Sequence, residues 1–361
     1  MTAFVKRDYS LTGPEGRRAE ELGLATAEWY HTPIPRKRLK ELMQRSDQPA
    51  LIHTAIWVAC FVVFGGLGYL TWGTWWAVPC FIAYGVMYGS STDSRWHECG
   101  HGTAFKTPWM NEVIYQISSF MILREPTVWR WSHARHHTDT IIVGRDPEII
   151  TPRPPDIRGI LLAFTGIEQA RYYFKKLFIH AGGALTAEEE TFIPKSEWSK
   201  VFWIARIHLA IYVGVICWSI AIWSIMPLMY IGLPSFYGAW LYIITGLTQH
   251  IGLAEDVLDH RLNCRTVYMN PIVRFLYLNM NYHVEHHMFP MVPYHKLPEL
   301  HEEMKQDTPR PYSGFREAYA EIIPTLLRQL KDPTYFVRRE LPPGARPYIP
   351  ASQAPMAQAA E

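Results

Sequence analysis

Cysteine is scarce and scattered in this sequence. The five residues, Cys60, Cys80, Cys99, Cys217 and Cys264, form no C-x-x-C pair, which argues against a disulfide framework and against a thiolate zinc site. Cys99 alone falls inside a histidine cluster, where it reads as a small space-filling residue. Charge is sparse as well. Charged residues make up 19% of the chain and the formal net charge is +2, so nucleic acid is not an expected partner. No G-x-G-x-x-G turn follows a strand-like run, which leaves no nucleotide-binding fold to supply reducing equivalents. The stretch Met1–Ser10 has no apolar core like that of a signal peptide, so the first apolar span is expected to insert by itself.

What the chain has in quantity is aromatic surface, apolar runs and histidine. Aromatics reach 14%, with fourteen tryptophans, a composition suited to a protein that borders lipid. Leu51 to Leu70 and Trp72 to Tyr88 are apolar almost throughout, each close to the ~20 residues that cross a bilayer core. Val201 to Ile222 and roughly Leu233 to Leu247 repeat the pattern. Val113 to Leu123 is apolar but too short to span. The expected fold is all-α, with four membrane-spanning helices in two hairpins (about 51–70, 72–89, 201–222 and 233–248). Arg206 and His208, inside the third span, must snorkel or face protein. Residues 1–48 are expected to be a cytoplasmic N-terminal segment, 49–340 the membrane domain, and 341–361 a disordered tail.

Charge flanking sets the expected orientation. Arg36, Lys37, Arg38, Lys40 and Arg45 precede the first span, and Lys195 and Lys200 precede the third. By the positive-inside tendency both spans start from the cytoplasmic side. Two hairpins then return the chain to that side, where 91–200 and 249–340 would build a helical cap. That cap carries three histidine clusters, H-E-C-G-H at 97–101, H-A-R-H-H at 133–137 and H-V-E-H-H at 283–287, which hold eight of the sixteen histidines. Spacings of three and four put imidazoles on one helix face, about a turn apart. Neutral imidazole ligates iron, zinc, copper or nickel. All three clusters would emerge on one side of the membrane, an agreement that the spacing alone does not require.

The stretches H-E-C-G-H-G-T-A-F, W-S-H-A-R-H-H-T-D-T and N-Y-H-V-E-H-H-M-F-P, the last followed by V-P-Y-H-K-L-P, resemble the three histidine boxes of the integral-membrane fatty acid desaturase and hydroxylase superfamily. The likeness covers roughly residues 50 to 300. It implies a non-haem di-iron centre that activates dioxygen, with His97, His101, His133, His136, His137, His283, His286 and His287 as ligands. Members of the family add one further histidine between the second and third boxes. His250, in T-G-L-T-Q-H-I-G, is the better match and His260 the competitor. Some relatives carry an asparagine four residues before that histidine, where this chain has Gly246. Glu98, Asp139, Asp146, Asp256 and Glu285 are candidates to orient ligating rings, or else caps and solvated charges. Trp96, Trp129 and Trp131 border the first two boxes and read more readily as headgroup-level residues than as a substrate wall. His31, His53, His180, His208, His295 and His301 read as ordinary hydrogen-bonded histidines.

The resemblance implies an oxidoreductase that desaturates a fatty acyl chain with dioxygen and two electrons. A hydroxylase acting on a lipid or non-lipid C–H bond is the alternative, and a histidine-zinc receptor or metal transporter a distant one. With no electron-carrying domain in the sequence, the donor is expected to be external: a ferredoxin, rubredoxin or small haem protein. The expected location is a membrane, taken as the bacterial inner membrane, with the active site cytoplasmic.

Overall fold

The computed structural model describes residues 7–350 of the chain. Among them, regular structure is helical throughout, and β-pairing is confined to isolated bridges of Thr266 with Tyr282 and Val267 with Tyr312. Two short helices, α1 (Glu15–Glu21) and α2 (Arg36–Leu42), precede the long α3 (Asp47–Leu70). A turn through Gly73 leads into α4 (Ala77–Gly85), a π-helical segment (Val86–Ser91) and α5 (Thr92–Gly100). Then come α6 (Pro108–Met121), α7 (Pro126–Thr138), α8 (Ile157–Ala163) and α9 (Ile167–Ala181). The second long helix is α10 (Trp198–Ala221), followed by α11 (Met226–Tyr230), α12 (Pro234–Tyr237) and α13 (Trp240–Gly246). The chain closes with α14 (His260–Asn263), α15 (Pro271–Leu276), α16 (His283–Met288), α17 (Leu297–Met304) and α18 (Phe315–Gln329).

Three helical stretches are long and apolar enough to cross a membrane: Arg36–Leu70, Lys195–Ala221 and Met226–Gly246. Two of the four expected spans differ from these stretches. The stretch 72–89 is not among these three, because Thr71 to Trp76 is spent on a turn in which Thr71 and Thr74 bond back to Leu67 and Thr71 carbonyls. The apolar helix runs only from Ala77 to Gly89, roughly 20 Å at 1.5 Å per residue, short of the ~30 Å hydrocarbon core. The stretch 233–248 belongs to a longer one that starts at Met226, divided into three short helices by the turn Ile231 to Leu233 ahead of Pro234 and by Gly238 and Ala239. Val113 to Leu123 falls largely within α6, too short to cross. Of the expected disordered tail, 341–350 has no regular helix and 351–361 lies outside the described residues.

The outward faces of α3 and α10 are apolar. Val62, Leu70, Trp203 and Ile220 are all exposed, and Trp75, Trp76 and Trp223 stand out at the turns that follow these helices. A continuous apolar exterior of this extent suits lipid rather than water. Arg206 and His208, inside α10, find partners: His208 is buried against the Tyr173 hydroxyl (2.7 Å), and Arg206 donates to the Ala181 carbonyl (3.0 Å).

Helix α4 reaches the histidine-bearing α5 without a break in the chain's helical path. The π segment inserts one wide turn, which rotates everything beyond it, and the Thr92 hydroxyl ties the exit to the Met87 carbonyl (2.9 Å). This path lies hard against the α12–α13 corner. A Cβ at Gly238 would overlap the Gly85 carbonyl, and one at Gly89 would lie 2.8 Å from the Gly238 carbonyl carbon. Backbone meets backbone here, so neither side can give way. Gly238→Ala is expected to lower the melting midpoint of the detergent-solubilised protein, by about 1–3 kcal/mol of overpacking. Gly66→Ala, on α3 with nothing within 4 Å, should leave it unchanged. Equal midpoints for the two variants would show that the crossing is not tight.

Candidate metal centre

Three helices and one loop aim imidazoles at a common interior. α5 carries His97, with His101 at its cap; α7 carries His133, His136 and His137; α16 carries His283, His286 and His287; His250 follows α13. The second box owes its position to a cap at each end. Glu125 accepts the Val128 N–H (2.5 Å) at the start of α7, where Pro126 supplies the fixed φ of a first turn. Asp139 ends the helix, and Ile141 at φ +56° turns the chain away.

The rings form two groups. His97, His101, His133, His137 and His286 bring one nitrogen each to within 4.8 Å of one another. In this group His133 Nε2 lies 3.1 Å from His101 Nε2 and 3.2 Å from His137 Nε2, which is 3.2 Å from His286 Nε2. His136, His250 and His287 form the second group. His283 joins it, with its Nε2 2.9 Å from that of His250 and 3.0 Å from that of His287. His260 and Cys264 make a further cluster with His287, but the His260 ring stacks flat on Trp29 at 4.3 Å.

Outer hydrogen bonds decide where the protons sit. His133 Nδ1 faces Glu148 (3.0 Å) and His136 Nδ1 faces Asp146 (2.8 Å). His250 Nδ1 faces the Asn263 carbonyl at 2.8 Å. Ionised carboxylates and carbonyls only accept, so each of these nitrogens must donate and each Nε2 is left as a bare lone pair. The Thr140 hydroxyl gives its proton to the His136 carbonyl (2.6 Å), so at 3.2 Å it accepts from His287 Nδ1. His250 and His287 therefore both present bare Nε2 atoms to His283 Nε2, whose single proton could satisfy only one. In the first group His97 has no hydrogen-bond partner at either nitrogen, and His137 and His286 have none at Nδ1.

Lone pairs crowded in this way repel unless a cation lies among them. Nitrogens bound 2.0–2.1 Å from one ion at tetrahedral or octahedral angles stand roughly 2.8–3.4 Å apart, which spans the observed 2.9–3.2 Å. Burial, then the neighbouring imidazoles, hold His97, His101, His137, His250, His283, His286 and His287 well below the ordinary histidine value. Rings kept neutral are rings ready to ligate. Burial opposes ionisation of Glu148, but His133, His136 and the Ser132 hydroxyl outweigh it and hold the carboxyl down to about 2. Burial also opposes protonation of His136, and Asp146 overcomes it to raise that ring. Both observations, orphaned ring nitrogens and an all-imidazole donor set, fit two metal ions.

Of the five acids expected around the rings, Asp146 alone bonds one. Asp139 pairs with Arg145 (2.9 Å), and Asp256 with Arg7 (2.7 Å) and the Val143 N–H. Glu98 accepts from Thr103 (2.6 Å) and the Tyr294 N–H, while Glu285 meets Thr266 and His301, each at 2.5 Å. The helical period explains the last two. A residue next in sequence to a ligating position is rotated about 100° from it, so Glu98 and Glu285 point out of the cluster into α17 and its approach. The acid that sequence reasoning missed is Glu148, two residues after Asp146 in R-D-P-E. The headgroup-level reading of Trp96 is also corrected: its ring is buried, 5.6 Å from His133, and packs on Tyr115 and Trp129. His180, His208 and His301 are bonded to Glu189, Tyr173 and Glu285 as ordinary histidines.

The fatty acid desaturase family model matches residues 73–319. The sn-2 acyl-lipid omega-3 desaturase (ferredoxin) of Arabidopsis thaliana chloroplasts is 26% identical over 277 residues, 68% of this chain and 58% of the relative. The chloroplastic omega-3 fatty acid desaturase of Brassica napus is 25% identical over 273 residues, covering 68% and 64%. A Delta(12)-acyl-lipid-desaturase of Punica granatum is 30% identical over 90 residues, 25% of this chain and 21% of that one. The chain thus spans only part, 58% and 64%, of the length of the two long-matching relatives. The family match encloses every one of the nine clustered imidazoles and most of the chain around them, and on that ground the chain belongs to the fatty acid desaturase family.

Proposed function

We propose that the chain is a membrane oxidoreductase that uses dioxygen and two electrons from an external carrier to desaturate a fatty acyl chain. The observation that carries this reading is the convergence of nine imidazoles, four of which have outer hydrogen bonds that turn bare nitrogens inward. His97, His101, His133, His137 and His286 would hold one iron; His136, His250, His283 and His287 would hold the other. Two irons so bound supply the redox chemistry that activates dioxygen. Glu148 and Asp146 keep His133 and His136 in the ligating tautomer, and the Asn263 carbonyl does the same for His250. His250 rather than His260 completes the set, because its Nε2 meets that of His283 while His260 is stacked on Trp29.

An apolar slot adjoins the second group. A cavity of about 240 Å³ is walled by Ile150, Ile160, Ala163, Ile243 and Leu247, and it shares Ile150, Gly246 and Gln249 with a smaller one lined by His250 and Glu148. This slot is the place for the acyl chain. Its walls, mainly apolar but including Asp93, Arg124 and Asp156, would present methylene groups toward the imidazole cluster. α3 would cross the membrane and α4, lengthened by the π segment and α5 that continue its helical path, would return the chain, while α10 with α11 to α13 would form a second hairpin, leaving the imidazoles at the span ends. The basic residues ahead of α3 and α10 favour a cytoplasmic site, in a bacterial inner membrane. Ligands placed there, rather than at the bilayer midplane, speak against transport. A ferredoxin, a rubredoxin or a small haem protein would deliver the electrons; the name of the Arabidopsis relative specifies ferredoxin.

Cells supplied with a deuterated acyl chain and a suitable electron donor should release an alkene that has lost two deuterium atoms, read by mass spectrometry. An alcohol would reassign the chain to hydroxylation, and one zinc with no oxygen-dependent product would overturn the reading. The purified protein should hold about two irons per chain, with His286→Ala losing iron and product together. Glu148→Ala should weaken metal binding by about 10–100-fold, the usual cost of losing a group that orients a ligating ring. Full iron retention in His286→Ala would remove that residue from the site.

A further inference from the structure

Desaturation as proposed above consumes protons as well as electrons: R–CH₂–CH₂–R′ + O₂ + 2e⁻ + 2H⁺ gives R–CH=CH–R′ + 2H₂O. The two electrons come from the one-electron carrier and the two protons from solvent, and two waters must leave. The apolar slot cannot carry this traffic while an acyl chain fills it. A second cavity, of about 120 Å³, lies on the other flank of the imidazole cluster, with room for several waters.

We propose that this second cavity is the route by which protons and water pass between the protein surface and the imidazole cluster, with Glu125 as its internal proton carrier. The inference rests on the oxygen-reducing reading given above. At its outer end the cavity is lined by the exposed Glu188 and Tyr172; at its inner end it reaches Ser132 and Asp146, both buried. Those two are the last groups before the cluster, since the Ser132 hydroxyl donates to Glu148 (2.9 Å) and Asp146 accepts from His136. Between the ends stands Glu125, 4% exposed. Its Oε2 caps α7, and its Oε1 is buried without a hydrogen-bond partner.

The charged and titratable groups around Glu125 come from several elements. α9 contributes Lys176, His180 and Tyr173; Glu189, from the turn after α9, is held by Lys176 (2.9 Å) and His180 (3.0 Å). Tyr173 gives its hydroxyl to His208, and Tyr115 on α6 gives its own to the Pro126 carbonyl. Asp146 closes the inner end. Glu125 itself has no cationic partner. Burial first, and the Glu189 charge after it, push its carboxyl up to about 8 against the pull of the Val128 and Thr127 N–H groups. A buried acid that holds its proton near neutral pH, in a wet passage, is suited to pass it on.

Capping and proton carriage can be separated, because Gln at 125 can still accept the Val128 N–H but cannot release a proton. In the ferrous-loaded protein exposed to oxygen, proton uptake read by an indicator dye should slow about tenfold or more in Glu125→Gln. Peroxide released per oxygen consumed should rise, with iron content and melting midpoint unchanged. Glu125→Asp should restore most of the rate. Wild-type uptake should fall as pH rises through about 8, since the carrier is loaded below that value and empty above it; the Gln variant should lack this limb. In the metal-free protein, a protonated-carboxyl infrared band should disappear in Glu125→Gln. Equal uptake and coupling in Glu125→Gln and wild type would overturn the proposal, as would a wild type that takes up no protons. Proton uptake without an alkene from any acyl donor would instead sink the desaturase reading and leave the route standing.

Discussion

The arrangement depends on a repulsion. Four of the nine imidazoles have their outer nitrogen committed as donor, to Glu148, Asp146, the Asn263 carbonyl and Thr140. Their inner nitrogens therefore converge as lone pairs that cannot satisfy one another. A folded chain tolerates this only where a cation is the intended occupant, so the outer hydrogen bonds, more than the number of histidines, define the centre. They also divide it. The second group has its tautomers set mostly by loop and backbone partners, whereas the first has one fixed ring, His133, and several rings with a free outer nitrogen.

Holding such a cluster together falls to the packing behind it. A buried apolar cluster joins Trp96 and Cys99 on α5, Tyr115 on α6, Met288 on α16, and Leu297, Leu300 and Met304 on α17. The first and third boxes are thereby fixed to one another, and Trp129 on α7, packed against this cluster, ties in the second. The chain also bends sharply where it approaches the centre. Leu123, Ile141, Leu278 and Asn279 all have positive φ, and these residues precede α7, follow α7 and precede α16. Non-glycine residues in that region each cost of the order of 1–3 kcal/mol, which the surrounding core must offset.

Much of this was legible in the sequence, for a simple reason. Three- and four-residue spacings on helices specify a face directly, and His97 to His101, His133 to His137 and His283 to His287 are local patterns. His250 was reachable because it follows an apolar run. Glu148 and the Asn263 carbonyl were not, because Glu148 lies in an irregular loop and Asn263 ends the single-turn α14, and neither path is marked by a period. Glu98 and Glu285 misled for the opposite reason. They lie inside the boxes, yet the same helical geometry that gathers the histidines turns their neighbours outward. The membrane helices show a similar split. α3 and α10 are single uninterrupted runs, while the turn Ile231 to Leu233, Gly238 and the π segment after Gly85 interrupt the others at places hydropathy alone does not mark.

The loop from Asp146 to Thr151 gives the centre two sides. Asp146 and Pro147 line the cavity that reaches Glu125, Glu148, Ile150 and Thr151 face the small cavity beside His250, and Ile149 lines both, while Ile150 continues into the apolar slot. One short segment thus borders both cavities, its first residues on one and its last on the other. In the proposed reaction that separation matters. Protons and water on the acyl side would compete with the chain for space and raise the local dielectric, weakening every electrostatic contact near the metals. Glu148 connects the two sides: Ser132, which lines the first cavity, donates to it, and Glu148 itself lines the one beside His250. A single carboxylate that orients His133 therefore also forms part of the wall between the wet and dry halves of the site, which ties the metal's ligation to the partition of its substrates.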